Sequence, residues 1–248
     1  MADRAYLPDR DFSEYLEKNN LPLFSLEEQR PLGDFDVLAF NLSSELTLTN
    51  VLKILELGRI PLFRGERKAA PLILAGGPLT LNPLPFQEFF DLIFIGEGEE
   101  FIKKTSEIFP SLKAASKENI LSELSKLSGT FLPGGKKEIK KQSVDLDRWL
   151  YPKRRLVPLV DVSHNRLSIE VMRGCAGRCR FCQSKLYYFP CRFRKKENIL
   201  ALIEENLKKT GFEEVALGGL NVTLHPEIEE LVSELVGRFK KKRIALSL

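Results

Sequence analysis

Leu167-Ser168-Ile169-Glu170-Val171-Met172-Arg173-Gly174-Cys175-Ala176-Gly177-Arg178-Cys179-Arg180-Phe181-Cys182 is the stretch on which the reading of this chain turns. Residues 167–172 form a short run of strand length and read as a strand. The run passes directly into a loop, 174–183, with thiols separated by three and then two residues. Three cysteines within eight residues, of only four in 248, are too few for a disulfide framework and point to metal or redox chemistry. Gly174 and Gly177 remove side-chain bulk and admit positive φ, so that a short loop can aim several sulfurs at one centre. Arg173, Arg178 and Arg180 flank the thiols and favour their thiolate forms. Three thiolates satisfy three irons of a four-iron cluster, where an electron-transfer cluster normally has four protein ligands. The remaining iron is then a coordination site for a small molecule, as in open catalytic metal sites.

Downstream, 197–209 has helical spacing through Ile199, Leu202, Ile203 and Leu207 and stops at Gly211. A strand over 215–217 ends in Gly218-Gly219, and Pro226 sits where the first turn of another helix belongs, ahead of Ile228, Leu231, Val232 and Leu235. A third strand is expected over 244–248. Upstream, apolar runs at 36–42, 71–75 and 91–95 read as buried strands, with a short candidate at 5–7. Helices are expected through Phe12, Tyr15 and Leu16, over 49–57, around 85–90, and over 98–109 and 117–127. Such alternation argues a parallel sheet with helices on both faces. The strand ends carry Gly76-Gly77-Pro78 and Gly96-Glu97-Gly98-Glu99, placed where open α/β sheets bind ligands. Residues 130–166 break the pattern with Pro133-Gly134-Gly135, Lys136, Lys137, Lys140, Lys141, Lys153, Arg154 and Arg155, and read as a basic connection with a short hairpin.

The bulk numbers suit a globular protein, 43% hydrophobic and 29% charged, with no apolar window near the roughly 18 residues of a membrane span. Neither a signal peptide nor a membrane partner is expected, which makes the cytoplasm the expected location. Residues 1–130 hold 14 Lys/Arg against 20 Asp/Glu, and residues 131–248 hold 24 against 14. A basic half is either a solvated face or an attraction for phosphate-rich partners, which leaves an RNA or nucleotide substrate open.

The motif C-x3-C-x2-C with an aromatic before the last cysteine, following a strand and opening a βα alternation, resembles the radical SAM superfamily. The resemblance implies a [4Fe–4S] cluster on Cys175, Cys179 and Cys182, with S-adenosylmethionine on the open iron. It implies one-electron cleavage of the sulfonium to a 5′-deoxyadenosyl radical and an external one-electron reductant of flavodoxin or ferredoxin type. It implies Phe181 against the adenine side of the nucleoside, the alternative being an ordinary core aromatic. Gly218-Gly219 stands where the family often has Gly-Gly-Glu at the methionine amino group. Leu220 takes the third place here, so a carboxylate contact is lost, and a plain turn is the other reading.

The wording "LPLFSLE", "DVLAFNL", "TNVL", "LAGGP", "NPLPF" and "IGEGEE" resembles one group of these proteins, with a cobalamin-binding-like domain ahead of the barrel. Histidine-ligated cobalamin domains carry Asp-x-His-x-x-Gly, yet His164 and His225 both lie in the second half. Cobalamin is therefore expected only without that ligand, or the fold is kept without the cofactor. The expected fold class is α/β. It comprises an incomplete flavodoxin-like, cobalamin-binding-type parallel sheet over 1–129 without its first strand, a basic linker over 130–166, and the first three βα units of a radical SAM partial TIM barrel over 167–248. Six such units need roughly 190 residues, so the chain is expected to be cut at both ends and inactive in isolation. No catalytic residue is assigned. Other readings stay open: a four-cysteine iron–sulfur or zinc module recruiting Cys191, and an RNA-binding protein driven by the basic half. His164 and His225 read as surface or capping histidines, and Arg192, Arg194, Lys195 and Lys196 as solvated residues leading into the next helix.

Overall fold

The computed structural model describes residues 2–68, 71–112, 115–135, 138–149, 152–153 and 155–248. Lys136, Lys137 and Arg154 of the basic run lie outside the described residues. The chain divides into two compact units, 1–142 and 143–248.

In the first unit the order is α1 (Arg10–Lys18), β1 (Val37–Asn41), α2 (Leu46–Leu57), β2 (Leu72–Gly76), β3 (Leu92–Phe94), α3 (Glu99–Leu112), α4 (Lys117–Ser125) and β4 (Thr130–Phe131). The Asp9 side chain caps α1, and α2 ends at Gly58. The helix expected around 85–90 is a 3-10 turn, Leu84–Phe89, with Pro83 at its N-cap and Pro85 in its first turn. The strands lie in the order β1-β2-β3-β4, and β1, β2 and β3 run parallel. β4 is antiparallel to β3, a departure from the all-parallel expectation. Two helices, α3 and α4, separate β3 from β4, so the chain comes back to the end it left and re-enters the sheet reversed. Residues 5–7, the short strand candidate, form no strand.

Alternate residues of β2 serve opposite faces. Ile73 and Ala75 join Leu42, Leu55 and Phe90 in one core, while Leu72 and Leu74 pack with Leu92, Ile120 and Leu124 in another. Asp91, directly before β3, joins several elements through charge. Its carboxylate lies 3.3 Å from Arg67 Nε and 2.8 Å from Lys117 Nζ, and it accepts the Ile73 N–H at 2.8 Å. Arg67 also donates to the carbonyls of Pro61, Leu62 and Phe89.

In the second unit the order is β5 (Leu167–Glu170), β6 (Met172–Arg173), α5 (Ser184–Tyr187), β7 (Arg192–Phe193), α6 (Lys196–Thr210), β8 (Glu214–Gly218), α7 (Ile228–Phe239) and β9 (Ala245–Ser247). β5, β8 and β9 form a parallel sheet in the order β5-β8-β9. Its core joins Leu167, Ile169, Val215 and Leu217 to Ile199 and Ile203 of α6 and Leu231 and Leu235 of α7. The strand expected over 167–172 is two: β5 stays in the parallel sheet, and β6 pairs antiparallel with β7. The segment read as a basic connection contributes to both units. Gly96 bridges to Gln142 in the first, and Val144 and Leu146 are buried in the second. No helix among the described residues is long and apolar enough to cross a membrane.

Asp91→Ala leaves two cations buried around a lost anion. It is expected to lower the stability of the first unit by about 3–5 kcal/mol, read from urea unfolding followed by hydrogen exchange of the β2 and β3 amides. A loss below about 1 kcal/mol would show that the group is a solvated pair in disguise.

Candidate metal centre

The cysteine loop starts where the chain leaves the parallel sheet. Val171 N donates to Gly218 O at 2.9 Å, after which Met172 pairs with Phe193 and Arg173 with Arg192. Residues 174–191 are therefore a loop tied at its base by β6 and β7. Gly174 has φ +86°, and a Cβ there would lie 2.4 Å from Tyr188 O, 2.8 Å from Pro190 O and 3.0 Å from Cys191 Cα. Only glycine lets the outgoing chain cross the returning one so closely. The same crossing sets Cys191 beside the loop's origin.

Gly177 lies against two of the sulfurs. Its N–H donates to Cys175 Sγ at 3.3 Å, and a Cβ there would lie 3.2 Å from Cys175 Sγ and 3.7 Å from Cys179 Sγ. Cys182 N donates to Cys179 O at 3.2 Å, a turn that brings the last cysteine back towards the second. Cys179 is exposed, and Cys175 and Cys182 are half-buried. Hydrogen bonds from the Ser184 N–H and hydroxyl at the start of α5 push the Cys182 thiol pKa down. Burial, and then the neighbouring Cys175, push Cys191 up. Among the described residues no three His, Cys, Asp or Glu side chains are gathered closely enough to hold a metal ion. The sulfurs are presented along the loop rather than converged on one point. The donor set nonetheless fits an iron–sulfur group: three soft thiol ligands, two of them flanking one residue without a side chain, on a loop closed at its base.

The arginines act differently from the expectation. Arg173 makes a bidentate pair with Glu170, at 2.9 Å from both Nε and Nη2. The depression at Cys182 comes from Ser184 first and involves Lys185, not the arginines. Arg194, read as solvated, is 4% exposed; it donates to Glu170 O at 3.1 Å and to Leu146 O. His225 is buried. Its Nδ1 accepts the Glu227 N–H at 3.2 Å, which leaves Nε2 to donate to Arg194 O at 2.8 Å. It caps the approach to α7, while His164 is exposed.

Phe181 is 91% exposed, so it belongs to no core cluster. Gly218-Gly219 ends β8 next to the end of β5, and a Cβ on Gly219 would lie 2.4 Å from Met172 Cγ. The pair and the cysteine loop thus occupy the C-terminal end of the same parallel strands, the end at which α/β folds place their chemistry. In the first unit, a Cβ on Gly77 would lie 2.4 Å from Asn41 Oδ1, and one on Gly96 2.3 Å from Gln142 O. Close packing accounts for Gly77 and Gly96, whereas a Cβ on Gly76 would meet nothing within 4 Å and one on Gly98 only Ile102 at 3.7 Å. Sequence reasoning missed Ser184 and Met172. Ser184, two residues after the last cysteine, had a readable signal as a short hydroxyl side chain at a helix start.

Residues 1–133 match the family model for radical SAM proteins, N-terminal, and residues 169–248 match that of the radical SAM superfamily. The uncharacterized protein MJ0966 of Methanocaldococcus jannaschii is 29% identical over 220 residues, covering 87% of this chain and 45% of that protein. The radical S-adenosylmethionine methyltransferase TsrM of Kitasatospora setae, with tryptophan substrate and an S-adenosylmethionine analogue bound, superposes with TM-score 0.54 at 13% identity. That alignment covers 96% of this chain and 46% of TsrM. The same enzyme with cobalamin and a [4Fe–4S] cluster bound gives TM-score 0.52 at 14% identity, with the same coverage of both chains. At this identity the likeness is one of fold. The chain spans about half the length of the proteins it matches.

In metal-free protein, Cys182 is expected to react with iodoacetamide faster than Cys191 at pH 7.5. A lowered pKa leaves more of the first as thiolate, and a raised one leaves less of the second. The gap should close as pH rises and Cys191 ionises. Peptide mass spectrometry across pH checks it, and preferential labelling of Cys191 would contradict the placement of Ser184.

Proposed function

This chain belongs to the radical SAM superfamily, and from that membership we propose that it is an enzyme, or the cofactor-holding part of one, whose Cys175, Cys179 and Cys182 hold three irons of a [4Fe–4S] cluster. The fourth iron would then be left open to S-adenosylmethionine. The bound pair supplies one-electron cleavage of the sulfonium, the source of a 5′-deoxyadenosyl radical. An external donor of flavodoxin or ferredoxin type delivers the electron. The observation that carries the reading is the placement of Cys175 and Cys179 on either side of Gly177, in a loop closed by β6 and β7 at the C-terminal end of a parallel strand.

Each residue has a task in this reading. Gly177 leaves room between two ligand sulfurs. Ser184 hydrogen-bonds the third sulfur and favours the thiolate that binds iron. Phe181, already projecting from the loop, offers its ring to the adenine. Gly218-Gly219 offers backbone groups, with no side chain, to the methionine end. We assign the second unit to the first three βα units of a partial barrel and the first to the cobalamin-binding-type domain. Residues 1–142 themselves supply no imidazole to a cobalamin held there. Substrate-facing groups at later barrel strands belong to the longer protein.

Cys191 gives the four-cysteine module a geometric basis, because it sits close enough to Cys175 to interact electrostatically. Anaerobic reconstitution separates the two readings. About four irons per chain and a spectrum that changes on adding S-adenosylmethionine are expected. Cys175→Ser, Cys179→Ser and Cys182→Ser should each abolish the cluster, and Cys191→Ser should retain it. Zinc retention without an iron chromophore, or loss of the cluster in Cys191→Ser, would replace the enzyme reading with the four-cysteine module.

A further inference from the structure

The first unit contains a cavity of about 670 Å³ lined on two sides by continuous chain segments. One wall is the whole of β1, every residue from Val37 to Asn41, and the other is every residue from Ala2 to Leu7. The wall formed by β1 is an unpaired sheet edge. Leu72 N donates to Asp36 O and Leu42 N donates to Gly76 O, so the even-numbered residues of this strand turn their peptide groups towards β2. By alternation, Val37, Ala39 and Asn41 turn theirs towards the cavity. Among the described residues no backbone hydrogen bond meets them. The edge also lacks the usual guards, since Val-Leu-Ala-Phe-Asn has no charge, proline or bulge. Its sequence is that of a strand with neighbours on both sides, yet Ala39 and Asn41 are exposed where β2 is buried almost throughout.

The opposite wall is anchored independently of β1. Arg4 O accepts the Leu26 N–H at 2.8 Å, the Asp3 carboxylate accepts the Glu28 N–H at 3.0 Å, and Arg4 Nε donates to Glu27 at 2.7 Å. These contacts engage the two charged residues of the lining, whose other members include the polar Ser25, Asn41, Thr47 and Asn50 beside the apolar Leu32, Val51 and Ile54. Polar side chains such as these also occur in small-molecule sites, and it is the main-chain edge of β1 that sets this cavity apart. A continuous unpaired strand edge serves an extended polypeptide better.

We propose that this cavity is the seat of one further β-strand, an apolar extended segment that pairs in parallel with β1 and lies between it and residues 2–7. The occupant is a segment of the same protein outside residues 1–248, whose relatives MJ0966 and TsrM are each about twice the length aligned. In the flavodoxin-like strand order 2-1-3-4-5, residues 2–7 then stand in the second place and β1, β2 and β3 in the third to fifth. The seat falls in the first, central place.

The test uses the 248-residue chain and an acetylated, amidated peptide of five alternating valines and alanines between lysines. Binding is expected to slow amide exchange at Val37, Ala39 and Asn41 by about tenfold or more, with little change in β2. The same peptide N-methylated at alternate amides should give no protection. Ala39→Pro removes one cavity-facing N–H and no β2 bond, so it should weaken the peptide by about tenfold. The methylated control needs no protein variant, so the test survives a misfolded Ala39→Pro. Equal protection by both peptides, or none by either, would overturn the proposal. So would protection of these amides in the peptide-free chain through a dimer seen by sedimentation, which would make a second copy the occupant.

Discussion

The crossing at Gly174 is the constraint on which the second unit depends. Without a side chain there, the chain leaving β6 passes within contact of the carbonyls of Tyr188 and Pro190 as it returns to β7. That closure turns eighteen residues of polar and aromatic sequence into one loop with a fixed base. A loop that only had to be flexible would do without so tight a base, and its cysteines would then move independently. Sulfurs that must meet one metal group need their tether points fixed before the metal arrives, because each freely moving segment adds an entropic cost to binding. Short spacing, glycine at 177 and the β6–β7 pairs all lower that cost.

The base of the loop is itself held by buried polar groups. Arg194 follows β7 directly, and its N–H donates to Val171 O while its guanidinium reaches Glu170 O and Leu146 O. Its carbonyl accepts from His225, whose other ring nitrogen receives the Glu227 N–H ahead of α7. One buried cation therefore joins the end of β5, the segment before it and the approach to a later helix. A guanidinium can be buried at tolerable cost only when its donors find acceptors. Here those acceptors are backbone carbonyls, whose positions are fixed by the sheet.

Much of this was legible in the sequence. The α6 and α7 faces followed from the spacing of Ile199, Ile203, Leu231 and Leu235, and the parallel pairing of β5, β8 and β9 from strands alternating with helices. The cysteine loop was legible because its signal is local: three thiols and two glycines within nine residues. What escaped was non-local. A run of Arg and Lys looks solvated whether or not one member turns inward, and Arg194 turns inward because carbonyls 24 and 48 residues away in sequence meet it. The break between β5 and β6 escaped for the same reason, since Val171 at the break and Met172 after it are both apolar. Residues 5–7 read as a strand, yet an extended segment becomes one only when something pairs with it.

The glycines do two different things, and this difference bears on where a ligand could find room. In the first unit Gly77 and Gly96 close gaps against Asn41 and Gln142, while Gly76 and Gly98 of the same loops stand free of close contact. In the second unit Gly177 borders sulfurs and Gly219 borders a methionine side chain, neighbours that can give way or bind. A glycine pressed against fixed backbone reports a packing requirement; one pressed against reactive or adaptable side chains leaves space that a ligand can claim. On that criterion, the space left beside reactive or adaptable side chains in the second unit lies at the C-terminal ends of β5 and β8.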